Sequence, residues 1–261
     1  MKQFLSSIRL AEYITGILPW AHGHQVKAIT VFVSAIFETQ TGCQAQLART
    51  QGKQEAALKR LSRLLHNERL DPHALAEGVL RQALRQVPQH GRVRLTLDWT
   101  SEDQQHLLVI SLVVGRRATP IYWRAYDQRT LKGRMRRYEM AVIKRAFAII
   151  FSSIAPPRIR LTADRGFADT DLFTLLDQWG IRFIIRVRGS VKVRREGKWI
   201  KLNRLRFLGN ERRRTLGRIE YCESAPQQLF LTMSRARGKN GRSRDLVPDL
   251  ELLTARAADG R

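Results

Sequence analysis

The chain lacks the sequence features that are typical of secreted proteins, of proteins with a structural zinc site and of membrane-spanning proteins. Cys43 and Cys222 are its only cysteines, and neither lies in a CxxC or Cys/His spacing, which argues against a disulfide framework and against a structural zinc site. The longest apolar run, Ala28 to Phe37, is too short to cross a bilayer. The start has scattered charges rather than a clean apolar block, so no signal peptide is indicated. We therefore expect a cytoplasmic protein without a membrane partner.

Acidic residues are also scarce. Only 23 Asp and Glu accompany 47 Lys and Arg, giving a formal net charge of +24. This excess is beyond what solubility requires and indicates a polyanionic partner, for which nucleic acid is favoured over an anionic membrane. A hydrophobic fraction of 43% is enough for a sizeable core, so disorder throughout the chain is excluded.

Residues 1–90 are predicted to be a helical, DNA-binding region, because apolar residues return there at helical spacing. Val26 to Phe37 predicts a buried helix, with a strand as the alternative. Gln44 to Arg49 predicts a short helix, and the next helix has leucines on one side and three basic residues on the other: Lys59, Arg60 and Arg63. A helix-turn-helix fits this pattern, and a plain solvated face explains the three cations equally well.

Residues 91–261 have a different pattern, with strands and helices in alternation. Val93 to Leu97 alternates as a half-buried strand that runs directly into Asp98. The elements predicted after it are strands at His106 to Val114 and Thr119 to Ala125, a helix at Arg137 to Phe151, a strand at Arg158 to Thr162 before Asp164, a helix capped by Thr170 or Asp171, and a strand at Arg182 to Val187. This order predicts an α/β, ribonuclease-H-like core, a mixed sheet with flanking helices.

The most basic stretch of the chain runs from Ile181 to Arg218. Residues 188–245 are predicted to form a β-rich basic element facing DNA, because apolar residues interleave with the charges. Its candidate DNA-binding residues are Lys192, Arg194, Arg195, Lys198, Trp199 and Lys201. Trp199 is placed to stack on a base, and its alternative role is that of a core aromatic in an alternating strand.

Two aspartates are the candidates for chemistry. Asp98 and Asp164 would lie side by side if their strands are neighbours in one sheet, and clustered carboxylates can hold the two metal ions of phosphodiester transfer. Oxygen ligands favour Mg²⁺ or Mn²⁺. Arg165 would then hold a phosphate while Gly166 relaxes the turn. The alternatives are two carboxylates that cap turns and an ordinary surface arginine.

The segments "LKRLSRLLHNERL", "LTLDWT" and "ADRGFADTDLFTLLDQWGIRFIIRVRGS" resemble the transposases of bacterial insertion sequences in family four, which belong to the DDE superfamily. This resemblance implies that Asp98 and Asp164 are the first two metal-binding carboxylates of an enzyme that cuts and joins transposon ends. It implies that residues 188–245 are a β-rich insertion placed after the second aspartate. It implies duplex DNA, both transposon ends and target, as the partner in the bacterial nucleoid, and it allows a homodimer on that DNA.

The resemblance also implies a third carboxylate, which this chain does not supply. The family places a glutamate in a downstream helix with a Tyr, Arg, Glu, Lys signature, and no such signature occurs before Arg261. Glu251 lies in an apparent strand ahead of that helix and is not assigned the role. We expect a truncated transposase with little or no activity alone. The alternatives are a non-catalytic DNA-binding remnant that represses the parent element and an RNA-binding or ribosome-associated protein.

Overall fold

The computed structural model describes residues 7–205, 213–234 and 249–253. The chain divides into two compact units, Met1–Gln86 and Val87–Arg261. In the described part of the chain, no helix is both long and apolar enough to cross a membrane.

The described residues of the first unit form five helices. They are α1 (Ser7–Ile17), α2 (Gly23–Thr39), α3 (Gln44–Arg49), α4 (Gln54–Leu65) and α5 (Pro72–Leu84). The helix predicted over 44–49 is confirmed with the same bounds, and the strand alternative for 26–37 is wrong. Asp71 begins α5 by accepting a 2.8 Å hydrogen bond from the His73 amide, with Pro72 in the first turn.

Helices α1 and α5 of this unit approach each other closely at a glycine. At Gly78 of α5, an added Cβ would lie 2.0 Å from the backbone oxygen of Ile17 in α1. Leu10, Ile14 and Leu18 are buried beside this contact and belong to one apolar cluster. A second cluster joins α2, α3 and α4 through Phe32, Leu47 and Leu61, among others. These two clusters explain why the apolar residues recur at helical spacing.

The second unit contains a single described sheet of ten strands with helices packed on it. The strands are β1 (Val93–Glu102), β2 (Gln105–Val114), β3 (Arg117–Asp127), β4 (Ile159–Ala163), β5 (Arg182–Val187), β6 (Lys192–Arg195), β7 (Lys198–Lys201), β8 (Arg213–Tyr221), β9 (Gln227–Ser234) and β10 (Asp249–Leu253). The helices are α6 (Gln128–Leu131), α7 (Met135–Ile150) and α8 (Thr170–Gln178). The predicted mixed α/β sheet with flanking helices is confirmed.

The strand order is β3-β2-β1-β4-β5-β10-β9-β8-β6-β7. β4 is parallel to β1 and to β5, and the other pairs are antiparallel. The parallel step from β4 to β5 needs a crossover, which α8 provides. The predicted β-rich segment supplies β6 to β9, which extend this same sheet, and residues 206–212 and 235–245 of it lie outside the described residues.

The two faces of the central strands differ in what covers them. Leu95, Leu97 and Phe183 are buried on the face that receives α7 and α8, where Phe173 of α8 stacks on Phe183 with ring centroids 5.3 Å apart. Because side chains alternate along a strand, Arg94, Thr96 and Asp98 belong to the opposite face. The strand pattern in the sequence therefore separates a helix-covered face from a polar one.

Two predicted details of the second unit are wrong. β1 does not end at Asp98 but continues to Glu102, because β2 pairs with it over that whole length. Neither Thr170 nor Asp171 caps α8. Asp169 does, and its Oδ1 accepts hydrogen bonds from the amides of Asp171 and Leu172 at 3.0 and 3.4 Å. Several small polar residues in a row made that cap ambiguous in the sequence.

Candidate active site and basic surfaces

The parallel register of β1 and β4 determines where the two aspartates lie. The last paired residues are Leu97 and Ala163, and Asp98 and Asp164 each come one position later. Both aspartates are exposed; by alternation Asp98 belongs to the sheet face of Thr96, whereas Asp164 lies just beyond the end of β4. The two residues thus each follow the last register pair of two neighbouring strands.

The backbone around each aspartate is held in a different way. Asp98 is paired with Val109 of β2, so it stays within the sheet after β4 has ended. Asp164 leaves the sheet into a 3-10 turn, Arg165–Phe167, and its Oδ1 accepts a 2.7 Å hydrogen bond from the Gly166 amide. A Cβ at position 166 would lie 2.9 Å from the same oxygen, so glycine lets the turn close on the carboxylate.

A series of side-chain hydrogen bonds supports the site from the helix-covered face of the sheet. The indole Nε1 of Trp99 donates to Glu139 Oε1 at 2.7 Å, and Arg136 Nη1 donates to Glu139 Oε2 at 2.9 Å. Arg136 Nε also lies 3.3 Å from Asp169 Oδ2, at the start of α8. These hydrogen bonds connect Trp99, the residue after Asp98, to the start of α8, the helix that follows Asp164.

Sequence reasoning missed Glu139 and Arg136. The available signal was a single glutamate within the apolar stripe of α7, where its side chain is only 5% exposed. A buried carboxylate needs partners, and the structure supplies an indole and a guanidinium.

Aromatic rings surround Trp99. Its ring centroid lies 6.5 Å from that of His106 and 6.3 Å from that of Tyr126, and Tyr126 lies 4.9 Å from Tyr138. Burial raises the pKa of Tyr126 above its ordinary value, with the charge of Arg124 opposing the shift and Tyr138 adding to it. Tyr126 is therefore a neutral packing partner at physiological pH and supplies no charge to the site.

The donor chemistry of the two aspartates fits a hard divalent cation. Mg²⁺ in nucleic-acid enzymes is commonly held by one or two carboxylates together with phosphate oxygens, and Asp98 and Asp164 supply such oxygens. Within residues 7–205, 213–234 and 249–253, no group of three or more His, Cys, Asp or Glu side chains is placed to hold a metal ion. The described residues thus provide two carboxylates and no third.

The predicted basic face of α4 forms part of a concave surface in the helical unit. Arg60 and Arg63 line a cavity of about 400 Å³ together with His24 and Lys27 of α2. Lys59 does not line this cavity, and its Nζ lies 2.8 Å from Glu55 Oε1. The sequence missed His24 and Lys27 because they belong to a helix that shows no basic stripe of its own.

The basic residues predicted at β6 and β7 divide into paired and unpaired cations. Lys192 forms an ion pair with Glu223, and Arg194 Nη1 lies 3.2 Å from Glu220 Oε2. Arg195 Nε lies 3.5 Å from the exposed Glu196. The structure therefore neutralises a good part of this segment locally.

The remaining candidates of this segment differ from those three. Lys198 and Lys201 are exposed, and in the described structure neither has an ion pair. Trp199 is half-buried opposite Arg194 on the neighbouring strand. Arg165, directly after Asp164, is exposed as well. Lys198, Lys201 and Arg165 are therefore exposed cations of the predicted set that have no ion pair among the described residues.

Comparison with known proteins leaves the site to be interpreted from its own geometry. No family model matches the chain, and no curated protein matches it.

Proposed function

We propose that this chain is a DNA transposase that uses two-metal phosphodiester chemistry on a ribonuclease-H-like core. The single observation that carries the proposal is the parallel register of β1 and β4, in which Asp98 and Asp164 each come one position after the last register pair, Leu97 and Ala163. The order β3-β2-β1-β4-β5, with an antiparallel meander followed by two strands parallel to β1, supports the core assignment.

Each residue has a distinct role in this proposal. Asp98 and Asp164 would hold Mg²⁺ or Mn²⁺, and such an ion, when bound, stabilises charge on the entering and leaving oxygens of the phosphodiester. Gly166 orients the Asp164 carboxylate through its amide. Arg165, exposed beside that carboxylate, would bind a phosphate oxygen of the DNA. Glu139 fixes Trp99, and so the strand that carries Asp98.

Among the residues that the structure describes, two carboxylates lie at this site, which is an incomplete ligand set for two ions. We therefore expect the chain to bind DNA and divalent cations but to cleave transposon ends weakly or not at all by itself. Adding a segment that supplies a glutamate should raise cleavage of the matching end DNA in Mg²⁺. Robust cleavage by the present chain would show that two carboxylates suffice.

Metal binding on DNA tests the role of the aspartates directly. We expect D98N and D164N each to weaken Mn²⁺ binding, measured by electron paramagnetic resonance, on the order of tenfold for a lost charged ligand. D71N is the matched control, because an Asn caps α5 as well as the native Asp. Equal Mn²⁺ affinity in all three variants would remove the active-site assignment.

A second candidate function, a DNA-binding repressor of the parent element, is favoured by the concave basic surface of α2 and α4. Arg60, Arg63, His24 and Lys27 can contact phosphates without any metal. DNA affinity of the D98N D164N double variant, with and without Mg²⁺, separates the two functions. If the affinity for DNA changes neither with Mg²⁺ nor with the substitutions, the repressor is supported. If Mg²⁺ raises the DNA affinity of the native chain but not that of the double variant, the transposase is supported.

A further inference from the structure

Three arginines lie side by side on the polar face of the central strands, at the end opposite Asp98 and Asp164. Arg94 of β1 is the register partner of Arg160 in β4, and Arg160 is the register partner of Arg182 in β5. Neighbouring strands are about 4.8 Å apart, so this arginine row places three positive charges on adjacent strands. Such a row is unfavourable unless something anionic covers it.

The arginine row borders an apolar depression of about 750 Å³. Arg92 joins the row at its rim, and the side chains that line the floor include Val113, Ile184 and Phe230. These three floor side chains are half-buried, so part of their apolar surface remains exposed to solvent. The depression thus offers cations and apolar surface next to each other.

The guanidinium groups of the row have donors to spare. Arg94 Nη2 donates to the Gly115 oxygen at 3.2 Å, and Arg160 Nη1 donates to the Pro157 oxygen at 2.7 Å. A guanidinium has five N–H donors, so most remain for another acceptor. Among the residues that the structure describes, no carboxylate pairs with Arg92, Arg94, Arg160 or Arg182.

The charges of the row act on one another. Burial lowers the pKa of Arg160, and the positive charges of Arg182 and Arg92 lower it further. An anionic ligand would relieve this repulsion. Carboxylates suit the task because they accept two parallel hydrogen bonds from one guanidinium.

We propose that the arginine row and its apolar depression form a docking surface for an acidic amphipathic segment of a partner protein. The carboxylates of that segment meet Arg94, Arg160 and Arg182, and its apolar side chains fill the depression. A nucleic-acid backbone would use the arginines but leave the apolar floor in contact with water, whereas an amphipathic segment covers both. The surface is separate from the aspartate pair, so it stands apart from the proposed transposase chemistry.

The test uses the full chain and a fluorescein-labelled peptide about four helical turns long, with a stripe of Leu bordered along one side by Glu. Fluorescence anisotropy should show saturable binding, weakened on the order of tenfold by R160Q and by R182Q, because each removes charge-assisted hydrogen bonds. R129Q, at an exposed arginine of α6, is the control and should bind as the native chain does. A peptide with Gln in place of every Glu should bind far more weakly.

Several outcomes would overturn the docking surface. Equal binding of the Glu and Gln peptides, equal binding by R160Q and the native chain, or no binding of the Glu peptide would each do so. If oligothymidylate displaces the labelled peptide from the native chain but does not bind to R160Q, the arginine row is assigned to nucleic acid instead. Thermal melting confirms that each variant is folded. D98N and D164N should leave peptide binding unchanged, which keeps this test independent of the proposed transposase function.

Discussion

The indole nitrogen of Trp99 donates a 2.7 Å hydrogen bond to the carboxylate of Glu139, forty positions further along the chain. Arg136 occupies the other oxygen of that carboxylate. Since Trp99 follows Asp98, this pair fixes the strand at the point where a proposed metal ligand emerges. The support comes from the face of the sheet that α7 covers.

Replacing Glu139 with Ala tests this support. The change leaves the Trp99 N–H without its acceptor and removes the ion pair, so we expect a loss of about 2 kcal/mol in the free energy of unfolding, measured by urea titration. Glu55→Ala is the control, because its ion pair with Lys59 joins side chains that are 84% and 65% exposed and should contribute less than about 0.5 kcal/mol. Equal losses in both variants would contradict the role of Glu139.

Gly166→Ala tests the turn after Asp164. The added Cβ would lie 2.9 Å from Asp164 Oδ1, so the carboxylate must rotate away and lose its bond to the amide of residue 166. We expect a modest loss of stability, about 1 kcal/mol, together with weakened Mn²⁺ binding on DNA. Gly42→Ala serves as the control, because nothing lies within 4 Å of its added Cβ. Unchanged Mn²⁺ affinity in Gly166→Ala would show that the orientation of Asp164 is unimportant.

Gly78→Ala tests the packing of the helical unit. The new methyl group would meet the Ile17 carbonyl oxygen at 2.0 Å, and backbone atoms cannot yield as a side chain can. Overpacking costs about 1–3 kcal/mol, which outweighs the gain of up to about 1 kcal/mol in helix propensity. Gly16→Ala is the matched control, because its Cβ would meet only the Gln82 side chain at 3.9 Å and the variant should be stabilised. A thermal melt in which both variants gain stability would refute the close contact.

The salt dependence of the proposed DNA binding tests which cations contact phosphates. If Arg60 and Arg63 each contact one phosphate, replacing both with Gln should make the slope of log affinity against log salt shallower by about 2. Replacing Lys192 and Glu223 together keeps the net charge and removes a paired cation, so its slope should match the native chain. An unchanged slope for the Arg60 and Arg63 variant would place DNA elsewhere, and tighter binding of structured RNA than of duplex DNA would favour the RNA-binding alternative.

Local pattern was enough to predict individual elements. The bounds of α3 and β5 match the prediction, because helical and strand periodicity depend on near neighbours in sequence. The alternation of apolar and polar residues from Val93 to Leu97 predicted a strand for the same reason. The end of β1 was wrong, since β2 pairing extends a strand beyond what alternation indicates.

Local sequence pattern predicted only part of the candidate site. The sequence singled out Asp98 and Asp164 as polar residues after apolar strands, and missed Glu139, whose partners lie forty positions away or on another element. It treated Lys192 and Arg194 as free cations, although carboxylates on or beside β8 neutralise both. A side chain's partners depend on strand register, which no short window of sequence contains.

The sequence by itself determined the positive charge, the helical first unit and the alternation that leaves polar residues on one face of each central strand. Only the tertiary structure decided that β1 lies parallel to β4 and β4 to β5, and this register sets both the aspartate pair and the arginine row. The reason is physical: side-chain alternation is fixed within a strand, whereas the pairing of distant strands is chosen by the packing of the whole sheet against α7 and α8.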